Sequence, residues 1–143
     1  MVTPDHLALY FVAARLMPGV KHLGASKETC KESFTLLAGH AAECFLKAIA
    51  SKPYDDPTVA LPSLMGRDVR HNLQALWELA SARCSMIEVT APAWLSALDQ
   101  FHDAPYVIRY MRGVNAYSLP PHKQVLTGLR RLSACTKAFL GLP

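Results

Sequence analysis

No stretch of this 143-residue sequence spells out a reaction. Its four cysteines, Cys30, Cys44, Cys84 and Cys135, include no CxxC spacing, so the expected state is reduced, mostly buried thiols. No uncharged apolar run approaches the roughly eighteen residues needed to cross a bilayer, and no membrane association is expected. The first residues carry Asp5 and His6 ahead of an apolar run and no basic leader, which predicts no signal peptide and a cytoplasmic location. Internal repeats, low-complexity tracts and paired strand patterns are also missing. Charged residues make up only 18% and apolar ones 51%, a balance that excludes general disorder. The formal charge of +4 permits an acidic partner without demanding one. One domain covering residues 1–143, with a substantial core, is the simplest organisation.

What is present is helical period. Residues 33–51 form the stretch around which the rest is organised. Phe34, Leu37, Ala38, Ala41, Phe45, Ala48 and Ile49 share one apolar stripe, while His40, Glu43 and Lys47 lie opposite. This second helix is read from Cys30 to Lys52, where Pro53 stops it. Ahead of it, Thr3-Pro4 opens a first helix that Pro18-Gly19 should end near Met17. Leu7, Tyr10, Phe11, Ala14 and Met17 line one side of that helix, and Leu9, Val12, Ala13 and Leu16 a second. A short helix apolar on two sides is either central or shared with another chain; the shared surface is expected here, and hence a homodimer. Residues 21–28 read as a polar linker and residues 53–66 as a loop.

A third helix is expected from an Asp68 cap. Leu73, Leu76, Trp77, Ala80, Cys84 and Ile87 keep helical period along it, with Trp77 in the core. A fourth, started by Thr90 and Pro92, ends near His102-Asp103. Residues 105–113 look locally extended. After Pro120-Pro121 the last helix turns Val125, Leu129, Leu132, Phe139 and Leu140 inward. Five helices and no sheet make an all-α bundle.

Two of these segments carry a resemblance. GHAAECFLKAIA in the second helix and RHNLQALWELA at the start of the third resemble the HEPN family, with its E-x-x-L-K-A helix and its later His-(polar)-Leu-x-x-Leu start. Glu43, Lys47, Ala48, His71, Leu73 and Leu76 fill those positions, and Val107-Ile108-Arg109-Tyr110 looks like the Arg-Tyr piece before the family's last helix. The resemblance spans roughly residues 30–140. It implies a five-helix up-and-down bundle, usually a homodimer, serving either as a ribonuclease or as the non-catalytic companion of a small nucleotidyltransferase. Binding residues implied or suggested are Glu43, Lys47, Arg70, His71, Arg109 and Tyr110.

The family's metal-independent ribonucleases need R-x4-6-H, a cation for phosphate and an imidazole to move a proton. Here Arg67 and His71 are the candidates, but only three residues separate them, and Asp68 as a cap would turn Arg67 away. The expectation is therefore a non-catalytic module binding a nucleotide, an RNA or a companion protein; the alternative is a toxin-like ribonuclease. His40 and Cys44 are four apart, as metal ligands can be, yet no third ligand lies near in sequence, so neither metal nor cofactor is expected. Lys123, Arg130 and Lys137 share a face of the last helix beside Arg131. With Tyr106, Arg109, Tyr110, Arg112 and Tyr117 they could meet phosphate and stack on bases.

Overall fold

The structure is a computed structural model that describes residues 5–25, 31–102 and 119–143. Five helices make up the described chain: α1 (His6–Ala25), α2 (Lys31–Ser51), α3 (Leu73–Ser81), α4 (Ala93–His102) and α5 (His122–Phe139). There is no strand among the described residues. The all-α bundle expected from the period of the apolar residues is what forms. No helix among these residues is long and apolar enough to cross a membrane.

α2 is the axis of the fold and packs against each of the other four helices. Phe34, Phe45, Leu46 and Ile49 are fully buried along it. Each such side chain stabilises the fold by roughly 1.5–3 kcal/mol through burial. Ala38, Gly39, Ala41, Ala42, Ala48 and Ala50 are buried between them, and their small size lets neighbours approach the backbone closely. The polar side expected for α2 is narrower than its sequence suggests. His40 is exposed, but Glu43 is only 5% exposed, so it is a buried carboxylate rather than half of a surface pair.

α1 does not stop at Pro18. It runs to Ala25, so residues 21–25 are helix and not linker. A proline inside a helix forfeits one backbone hydrogen bond and costs about 3 kcal/mol. The residues beyond it offset this: Val20 is fully buried and Leu23 packs against the core. Gly24 lets this turn come close, since a Cβ there would stand 2.6 Å from Leu126 Cδ1. The two apolar sides of α1 are also redrawn. Ala13 is buried, and Leu9 and Leu16 pack partly into the core, whereas Leu7, Phe11 and Val12 stay exposed. Thr3, Pro4 and Cys30 lie outside the described residues.

α3 starts later than Asp68. Residues 67–71 form a turn in which Val69 and Arg70 donate their N–H groups to the Gly66 carbonyl. Asn72 is the cap: its Oδ1 accepts from the Ala75 N–H at 3.0 Å, and Asp99 of α4 takes the Leu73 N–H at 2.8 Å. Two of the amides a helix start leaves unpaired are thereby satisfied. α3 ends at Ser81, so Cys84 and Ile87 are buried from the segment that follows it. That segment is anchored by Arg83, whose Nη1 donates to the Ile49, Ala50 and Lys52 carbonyls and so closes the C-terminal end of α2. The guanidinium also lies over the Tyr54 ring, 3.9 Å from its centre. The loop over residues 53–66, the span of α4 and the burial of Val125, Leu129 and Leu132 on α5 agree with the sequence reading. Phe139 and Leu140 are half-buried. Residues 105–113 lie outside the described residues.

Candidate functional site

Glu43 sits at the middle of a polar cluster inside the bundle. Lys47, one helical turn along α2, donates from Nζ to Glu43 Oε1 at 2.6 Å. His102, the last residue of α4, reaches Oε2 with Nε2 at 2.5 Å. His71, in the turn before α3, places Nδ1 3.3 Å from both carboxylate oxygens. The two imidazoles meet edge to face, their centres 6.3 Å apart. Burial alone would raise the Glu43 pKa, but the hydrogen bonds from His102 and Lys47 and their charges outweigh it and hold it at about 2. Glu43 is thus an ionised carboxylate that only accepts, so the ring nitrogens facing it carry the hydrogens.

Glycine makes room for this arrangement. His102 lies against α2 at Gly39, where a Cβ would be 2.6 Å from His102 Nδ1. Gly39 and Glu43 are one turn apart, so the ring crosses the same face of α2 that presents the carboxylate. His102 and Lys47 side chains are 12% exposed while that of His71 is 54% exposed, so the cluster opens to solvent on the His71 side.

Of the residues singled out from sequence, Glu43, Lys47 and His71 come together. Arg67 and Arg70 are exposed in the 67–71 turn, and neither pairs with Glu43 or His71 among the described contacts. Arg109 and Tyr110, like Tyr106, Arg112 and Tyr117, lie outside the described residues. His102 was read only as the end of a helix; its distance of 59 positions from Glu43 hides the partnership from any local pattern. His40 Nε2 does lie 4.0 Å from Cys44 Sγ. The thiol is a poor nucleophile, because burial and the neighbouring Glu43 push its pKa up to about 11. Cys44, Cys84 and Cys135 are free thiols.

A second concave feature was not legible beforehand. A groove of about 560 Å³ lies between α5, the start of α4 and residues 86–92. Trp77 and Trp94 meet edge to face in its wall, 6.3 Å between ring centres, beside Ile87 and Pro92. Trp94 rests on α5 at Gly128, where a Cβ would fall 2.2 Å from the indole. Lys123 and Arg131 stand at the rim, and Arg131 Nη1 is 3.9 Å from Glu88 Oε1. The basic face expected on α5 therefore divides. Arg130 and Lys137 instead meet Lys21 of α1 around a separate shallow depression.

Comparison with protein-family models, curated proteins and solved structures finds no match to this chain.

Proposed function

We propose that this chain is a non-catalytic, HEPN-like binding module that takes an aromatic, anionic ligand of the nucleotide class in the groove between α4 and α5. The observation carrying this reading is the groove itself. Its volume suits a small ligand, Trp94 with Ile87 and Pro92 offers an apolar wall, and Lys123 and Arg131 against the single carboxylate of Glu88 leave net positive charge at the mouth. The HEPN-like part of the reading is supported by Glu43, Lys47 and His71 meeting across α2 and the start of α3. The non-catalytic part is supported by Arg67 and Arg70, which lie outside that cluster.

Titration of the protein with AMP and with a short single-stranded RNA, followed by tryptophan fluorescence in EDTA, tests this reading. Saturable binding is expected, weakened by Trp94→Ala by roughly 5- to 150-fold, the loss of one stacked ring. The RNA should stay intact with parent and His71→Ala alike. Unchanged affinity in Trp94→Ala would discard the groove. Cleavage that disappears in His71→Ala would install the ribonuclease reading, with His71 as the proton-transfer residue.

The reading includes self-association through α1. Leu7 and Phe11 are one turn apart, Val12 adjoins them, and Phe11 is 50% exposed. A second copy related by a twofold axis would cover this stripe with its own equivalent. Light scattering at micromolar concentration should give a dimer mass for the parent and a monomer mass for the Phe11→Glu, Val12→Glu variant, with helix content retained. A parent that stays monomeric as concentration rises refutes it.

A further inference from the structure

We infer that Glu43, His71 and His102 form a zinc site. The inference stands on this cluster alone and is independent of the α4–α5 groove. Glu43 Oε2, His71 Nδ1 and His102 Nε2 lie within 4.8 Å of one another. They come from α2, the turn before α3 and the end of α4, so the backbone converges three donors from separate elements on one point. Tetrahedral zinc holds nitrogen and oxygen at about 2.0–2.2 Å, which sets neighbouring ligands about 3.3 Å apart. His71 Nδ1 already stands 3.3 Å from Glu43 Oε2, and the His102–Glu43 separation of 2.5 Å has to open by less than about 1 Å. The two imidazole nitrogens, within 4.8 Å of each other, have to close by up to about 1.5 Å, which the half-exposed His71 is free to do.

The supporting contacts suit a metal. Lys47 occupies Oε1, which fixes the carboxylate and leaves Oε2 for the ion. The Gly39 backbone seats His102, while the half-exposed His71 gives the ion an entry path and leaves a fourth position for water. On binding, each imidazole offers the lone pair of the nitrogen facing the carboxylate and carries its hydrogen on the other ring nitrogen. Two imidazoles with one carboxylate favour zinc or cobalt over magnesium, which prefers oxygen ligands. The expectation of no metal rested on His40 and Cys44, which have no third ligand near in sequence. Glu43 and His71 stood out only as binding residues, and a ligand set with them needs a donor from a distant part of the chain. His102 is that donor.

The test is titration of chelator-treated full-length protein with Zn²⁺ by calorimetry, with Co²⁺ as a spectroscopic stand-in. One equivalent of zinc should bind, Co²⁺ should give the strong visible absorption of four-coordinate geometry, and Mg²⁺ should give neither. Loss of supporting partners alone weakens metal sites by about 10–100-fold, so His71→Ala and His102→Ala should each cost at least about 100-fold. His71 is half-exposed, so His71→Ala should keep its fold even where His102→Ala does not, and circular dichroism checks both. His40→Ala and Cys44→Ser should bind as the parent does. Absence of stoichiometric binding in the parent, parent-like affinity in folded His71→Ala, or loss of binding in His40→Ala or Cys44→Ser would each overturn the inference.

Discussion

Replacing Trp77 by alanine should lower the stability of the fold by about 3–5 kcal/mol, the range for emptying a large aromatic site in a core. The ring is 4% exposed and lies mid-stripe on α3, one helical turn after Leu73 and beside Leu76. It also does something that burial does not describe. Its Nε1–H donates to the Glu88 carbonyl at 2.7 Å, tying the segment after α3 back onto the helix. Its edge-to-face contact with Trp94 adds about 0.5–1.5 kcal/mol beyond area. Alanine removes all three at once. For a chain of this length the loss corresponds to a fall in melting temperature of about 10 °C or more. A melt within about two degrees of the parent would mean that the segment over residues 82–92 collapses onto the vacated site. Trp77→Phe, which keeps most of the ring and loses only the donor, should recover most of the difference.

The stripe that identified Trp77 shows why burial was more legible than structure. Leu73, Leu76, Trp77, Ala80, Cys84 and Ile87 are all buried, as their spacing implied, yet the helix ends at Ser81. Periodicity reports which residues face the core, and a chain leaving a helix can keep them there by turning back over it. What ends the helix is remote: Arg83 is drawn to the carbonyls at the end of α2, more than thirty positions earlier. Pro18 failed as a stop signal for a related reason, since the local loss of one hydrogen bond is outweighed by burial of Val20 and Leu23 against elements that come later in the chain. Asp68 failed as a cap because Asn72 and Asp99 take the amides at the start of α3. The candidate cluster was legible in part. Glu43, Lys47 and His71 stand in recognisable local patterns, but His102 and the two glycines that seat His102 and Trp94 are meaningful only once α4 has been laid against α2 and α5.

Glu43→Gln should be among the most disruptive polar substitutions in the chain, costing about 3 kcal/mol near neutral pH. Glutamine fills the same volume, so packing is preserved while the charge and one of the two acceptor oxygens are removed. Lys47, whose side chain is 12% exposed, then loses its counter-ion in a mostly buried place. Breaking a buried pair from one side costs about 3–5 kcal/mol, and the long lysine stem lets the ammonium reach water and relieve part of it. The acid dependence should carry the same signature in metal-free protein. Burial works to raise the Glu43 pKa, but bonds from His102 and Lys47 lower it from an ordinary 4.5 to about 2 in the folded chain. A depressed carboxylate contributes stability that is fully present above the unfolded value and is lost as pH falls through the folded one. Between about pH 5 and pH 2 the parent should therefore give up about 3 kcal/mol from this group, and the gap between parent and Glu43→Gln should close over the same interval. Urea unfolding at a series of pH values in EDTA measures both curves. A gap that stays constant down to pH 2 would show that Glu43 acts through shape rather than charge, and would remove the electrostatic account of the cluster.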